Sequence, residues 1–158
     1  MSQFLSKFLL SIVAAVCVIN PAVADEKVNK AMSALKSELA AKGKPRLEGD
    51  QLFFGSQKIN GDFTVVDSIK AKHGGTATIF VKEGNNYIRR STNVMKAGQR
   101  AVGTPLDPSG PAKAAIDSGK PFYGPVDILG KIFQTGYEPI VNESGATIGI
   151  YYVGYSLE

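Results

Sequence analysis

The chain has 158 residues, 44% hydrophobic and 20% charged, which suits one folded domain with a real core and excludes a disordered, highly charged chain. The formal net charge is only +4, with basic and acidic residues interleaved, so no basic block marks a nucleic-acid-binding face. Cys17 is the only cysteine and His73 the only histidine, which leaves no disulfide framework and speaks against a tetrahedral metal centre.

Residues 1–24 read as a cleaved secretory signal peptide. Lys7 supplies the positive start, Phe8 to Ile19 the apolar run, and Ala22-Val23-Ala24 the small-residue cleavage site. The apolar run is short for a membrane span, and Val16 before Cys17 does not suit lipoprotein cleavage. The mature chain, residues 25–158, is therefore expected as one domain in the periplasm, with no membrane-spanning segment: a helix at 25–42, then a sheet domain at 46–155.

Asp25 to Ala41 has the spacing of an amphipathic helix, with Val28, Ala31, Met32, Leu35 and Leu39 on one side. Gly43 and Pro45 end it. Gln51 to Ile59 predicts a strand broken by glycine, and Asn60-Gly61 a turn. A second helix follows, capped by Asp62 or Thr64, burying Phe63, Val66 and Ile69 and stopping at Gly74.

Gly74 to Thr92 carries the pattern of a β-hairpin around a Gly/Asn turn. Its second strand holds adjacent arginines, Arg89 and Arg90, which alternation sends to opposite faces. A cation under a sheet needs an anionic partner, either an internal carboxylate or that of a ligand. Burial statistics favour a third outcome, solvation or pairing with a surface acid.

Asn93 to Arg100 reads as a polar loop and Pro111 to Ser118 as a short helix with proline in its first turn. Pro121 to Leu129, Lys131 to Ile140 and Ala146 to Tyr155 predict a three-strand meander with turns at Gly130 and Asn142 to Gly145. The fold class is α+β, with helices on one antiparallel sheet. No nucleophile elbow, phosphate loop or dinucleotide fingerprint is present. The chain is not expected to be an enzyme or to hold a cofactor.

Six segments follow one another in a family order: Gly74 to Phe80, Arg89 to Asn93, Gly103-Thr104, Gly119 to Gly124, Tyr137 to Ile140 and Gly149 to Gly154. Over roughly Gln51 to Tyr155 the chain resembles the single Cache sensor domain of bacterial chemoreceptors and histidine kinases, in its Cache 3/Cache 2 fusion form. The resemblance implies a PAS-like fold, with a long N-terminal helix behind a central antiparallel sheet and a ligand pocket on the sheet's other side. It also implies reversible binding of a small organic molecule, often a short carboxylate, reported to a membrane receptor or kinase partner in signal transduction or chemotaxis. The cleavable leader and the end at Glu158 depart from the receptors, which continue into a membrane helix.

Arg89 aligns with the arginine that members carry in this strand; Arg90 stands where relatives have an apolar residue. A guanidinium fork suits a carboxylate through two parallel charge-assisted bonds. Thr92, Tyr123, Thr135 and Tyr137 are candidate hydroxyl donors to a ligand, with Phe122, Val126 and Phe133 as apolar walls and Lys131 as a further cation. The competing readings are plain core packing for the phenylalanines and solvation for the lysine. For the whole domain, the alternative is a ligand-free protein-interaction module with a vestigial pocket.

Overall fold

The computed structural model describes residues 21–158, with side chains from Asp25 onward. The predicted leader's apolar run and Cys17 lie outside the described residues. The first helix, α1 (Pro21–Ala40), buries the five predicted residues Val28, Ala31, Met32, Leu35 and Leu39. Past its end the chain runs against a later turn at very short range. A Cβ on Gly55 would lie 2.0 Å from the Lys42 carbonyl oxygen and one on Gly43 2.6 Å from the Gly55 Cα, so only glycines fit this crossing.

The region after α1 differs from expectation. In place of one strand over Gln51 to Ile59 there are two short ones, β2 (Gln51–Phe54) and β3 (Gln57–Lys58), and a further strand before them, β1 (Pro45–Glu48), completes a separate antiparallel sheet. Gly49 and Gly55, both at positive φ, sit in the turns, so the glycine that reads as a break is a reversal. Leu52 and Phe54 alternate into the core, and Phe54 meets Tyr151 with ring centroids 6.2 Å apart. The helix α2 (Thr64–His73) begins where Asp62 Oδ1 accepts the Thr64 amide at 2.9 Å, and buries Val65, Val66 and Ile69.

The main sheet has five strands: β4 (Thr76–Glu83), β5 (Asn86–Thr92), β8 (Phe122–Ile128), β9 (Lys131–Val141) and β10 (Thr147–Ser156), in the order β5-β4-β10-β9-β8. Every neighbouring pair is antiparallel. The last strand in sequence is thus the central one, joining the hairpin to the meander. The expected polar loop at Asn93 to Arg100 is a small hairpin, β6 (Met95–Lys96) and β7 (Gln99–Arg100), and α3 (Pro111–Asp117) follows it. Ala97 and Gly98 turn that hairpin with positive φ, as a two-residue type I′ connection requires. Arg100 then pins it to α2 through two 2.8 Å bonds to Asp67.

Two cores result. On one face, here the proximal face, α1, α2 and β2 pack aliphatic side chains against Ile79, Val81, Ile140 and Val153. On the distal face, α3 and the segment between β5 and α3 cover Phe80, Tyr87, Tyr137, Ile150 and Tyr152. None of the described helices is long and apolar enough to cross a membrane.

Candidate functional site

The hairpin β4–β5 is irregular where its chemistry lies. Phe80 pairs with Arg89, whereas the preceding Ile79 pairs with Ser91, so Arg90 is an extra, bulged residue. Strict alternation would place Arg89 and Thr92 on opposite faces. The bulge instead turns Ser91 toward the α2 side, where its hydroxyl donates to the Asp62 carbonyl at 2.5 Å, and brings Thr92 opposite Thr78 on the distal face with Arg89 and Tyr87.

Arg89 is 5% exposed. Both of its hydrogen bonds leave from Nη1, to Thr104 Oγ1 at 2.9 Å and to the Pro105 carbonyl at 3.0 Å. Its guanidinium carbon lies 4.9 Å from the centroid of the Phe80 ring. Its Nε is buried with no hydrogen-bond partner. The arginines that do reach a carboxylate are Arg46, Arg90 and Arg100. Burial lowers the Arg89 pKa from its ordinary value, against the pull of the neighbouring Tyr137 and Tyr152 phenols. A buried cation held by neutral acceptors alone leaves part of its desolvation cost uncompensated.

An aromatic floor lies beside it. Tyr137 packs with Tyr152 at 5.0 Å, Phe122 at 6.2 Å and Phe80 at 6.4 Å between centroids. Burial, and then Tyr152, push the Tyr137 phenol upward, while Arg89 draws it back. Tyr152 shares a 3.0 Å hydrogen bond with Thr76. Tyr87 donates to Asp117 of α3 at 3.1 Å, and its pKa is pushed up to about 12 by burial and that bond. That bond fastens α3 over the sheet, and Asp117 also accepts Lys113 of its own helix at 2.6 Å.

Eight of the ten candidate residues fall on the distal face by strand register: Arg89, Thr92, Phe122, Val126, Lys131, Phe133, Thr135 and Tyr137. Two do not. Arg90 binds Glu83 through Nε and Nη2 at 2.7 Å; as the bulged residue it misses Arg89's face and is satisfied by an internal acid. Tyr123 pairs with Gly136 on the α1 side and donates to Glu138 at 2.6 Å, because its parity is opposite to that of Phe122.

The two threonines reach the right face, but their hydroxyls are already engaged. Thr92 Oγ1 shares a 2.6 Å hydrogen bond with Thr78 and accepts the Val94 amide, and Thr135 Oγ1 donates to the Gly124 carbonyl at 2.7 Å. Sequence reasoning missed Tyr87, which shares Arg89's face two residues away. It also missed Tyr152, whose face could not be read within an unbroken apolar run, and Thr104, which supplies the guanidinium's side-chain acceptor.

A cavity of about 250 Å³ opens at one end of the distal face, lined in part by Lys70, Asn93, Met95, Leu129, Lys131 and Phe133. Arg89 is not in its lining. Thr76, which is, lies four residues along β4 from the Phe80 level, or about 13 Å at the usual strand rise. The candidate residues therefore divide between an arginine–tyrosine cluster and this end cavity. Among the described residues no group of His, Cys, Asp and Glu could hold a metal ion.

A search of curated proteins finds no match. Among solved structures, the chain is similar to the crystal structure of the A. aeolicus nlh2 GAF domain in an inactive state. The identity is 12%, the match covers 85% of this chain and 83% of that one, and the TM-score is 0.50. At that identity the likeness speaks for fold alone, and it agrees with a PAS-like architecture. The family profile Single cache domain 3 matches residues 57–158, a span running from β3 through every strand of the main sheet to the C-terminus. Cache domains are extracellular small-molecule sensing modules, and this chain belongs to the single cache domain 3 family.

Proposed function

We propose that the domain works in the periplasm, after removal of residues 1–24, binding a short organic acid reversibly at Arg89 and reporting it to a membrane partner. One observation carries this reading: a guanidinium under the sheet with no acidic partner and with Nε unbonded. Nη1 is anchored to the Thr104–Pro105 segment, so the edge formed by Nε and Nη2 is the one a carboxylate would take side-on. The guanidinium carbon lies over the Phe80 ring, 4.9 Å from its centroid, and burial makes a charge-assisted bond there stronger than one in water. A carboxylate of about five heavy atoms gains at most about 7 kcal/mol, which sets micromolar or weaker affinity.

Calorimetry against acetate, propionate, pyruvate and succinate tests it. Binding of at least one acid by the wild type, lost in Arg89→Gln and kept in Arg90→Ala, is the expected pattern. No heat with any of them, or an unchanged response in Arg89→Gln, overturns it.

A second reading, a ligand-free interaction module, draws support from how full the distal face is. Tyr137, Tyr152 and Phe80 are at most 1% exposed, and both threonine hydroxyls are used internally. It predicts capture of a periplasmic partner that added carboxylates do not alter.

A further inference from the structure

We infer that the cavity at the end of the distal face is a second binding site, separate from Arg89, for a carboxylate carried on an apolar body of about five carbons. The wall chemistry sets the orientation of such a ligand. Asn93 is spent, accepting the Ala77 amide and donating to the Val66 carbonyl. Thr76 is spent on Tyr152 and the Gly154 carbonyl. The remaining polar side chains of the lining are Lys70 and Lys131. The lysines that form ion pairs are Lys36, Lys44, Lys72 and Lys113; these two are not among them. An anionic end therefore belongs at the lysines, and the apolar remainder against Met95, Leu129 and Phe133.

The turn geometry supports a built rim. Leu129 and Gly130 close the β8–β9 hairpin with φ of 55° and 90°, positions where asparagine and glycine are favoured and a leucine is strained. That leucine is 43% exposed and lines the cavity. Strain kept at a rim residue is a pointer to function when an outlier is actually observed. Met95, which also lines the cavity, begins the β6–β7 hairpin, whose turn residue Ala97 also lies at positive φ, and is 53% exposed. Two hairpins thus each contribute an unbranched or γ-branched apolar side chain to the lining of one hollow. A volume of about 250 Å³ has room for the eight heavy atoms of hexanoate even at roughly 30 Å³ each.

Amide-resolved NMR titration of the full chain with sodium hexanoate, hexan-1-ol and acetate tests the inference. Hexanoate should shift the amides of Met95, Leu129, Lys131 and Phe133, hexan-1-ol should do so about tenfold more weakly, and acetate should leave them unmoved. Lys70→Gln/Lys131→Gln should weaken hexanoate about tenfold. Leu129→Asn suits the turn, so it should keep or raise the melting temperature while weakening hexanoate. Arg89→Gln should leave hexanoate binding intact. Hexanoate shifts absent from these amides, unchanged in the double lysine variant, or lost in Arg89→Gln overturn the second site. Failure of short acids to bind at Arg89, with hexanoate still bound here, would overturn only the Arg89 reading.

Discussion

The two faces of the main sheet are built from different materials. The proximal face is mainly aliphatic: Val28, Met32, Leu35 and Leu39 of α1 close over Ile79, Val81, Ile140 and Val153, with Phe54 and Tyr151 as its buried aromatics and the Ser91 hydroxyl as a buried polar group on that side. The distal face mixes Phe80, Tyr87, Tyr137 and Tyr152 with buried polar groups, Thr78, Thr92, Thr135 and Arg89. Non-directional burial of methyl and methylene groups serves stability alone. Hydroxyls and a guanidinium serve it poorly, because each must find a partner or bear the cost of desolvation. The contrast separates a face that holds the domain together from one that carries specific chemistry, and three experiments can break or sharpen it.

The largest effect is expected on the proximal face. Leu35 is fully buried, so Leu35→Ala should lose about 2–5 kcal/mol in chemical denaturation, through lost transfer energy and the cavity left behind. Ligand affinity of the fraction that stays folded should not move. A loss well under 1 kcal/mol would mean that α1 is not structurally coupled to the sheet.

Arg89→Met should behave in the opposite way. Thr104 Oγ1 and the Pro105 carbonyl both lose the guanidinium as donor, but the Thr104 hydroxyl keeps its own bond to the Ala101 carbonyl at 2.6 Å. Stability should therefore change by no more than about 1 kcal/mol, in either direction, while carboxylate binding disappears. A loss as large as that of Leu35→Ala would make the arginine a structural pin and erase the contrast between the faces.

The smallest effect concerns Glu138, which joins the proximal layer by accepting hydrogen bonds from Lys36 of α1 and Tyr123 of β8. Burial works against its charge, but those two bonds outweigh it and hold the carboxyl below its ordinary value of 4.5. A depressed carboxyl stabilises the fold above its unfolded pKa and loses that contribution as pH falls through the folded one. Denaturation midpoints should thus decline below about pH 4.5, and Glu138→Gln should remove part of that slope. The part removed should be under about 1 kcal/mol, since the pair is partly solvated. An identical slope in the variant would leave acid sensitivity to other groups.

Local patterning was legible wherever it had room to repeat. The α1 stripe, the β4–β5 hairpin and the three-strand meander all stand within a residue or two of their expected places, because helical and alternating periods act over many residues. Short elements were not. The β1–β3 sheet and the β6–β7 hairpin consist of strands of four residues or fewer, too short to show a period. Of the candidate residues, strand parity puts Phe122, Phe133, Thr135 and Tyr137 on one face, and Tyr123, one residue off that parity, on the other.

Sequence by itself determined the apolar stripe that α1 buries and that strand pleating would send two adjacent arginines to opposite faces, since those follow from apolar spacing and alternation; burial statistics pointed both arginines to solvent or surface acids. It could not decide how Arg89 is satisfied. That depended on the bulge at Arg90, on the insertion of β10 between β4 and β9, and on the return of Thr104 and Pro105 to the edge of β5. These are pairings between segments far apart in the chain, and their register is fixed by packing against the whole sheet rather than by any local preference.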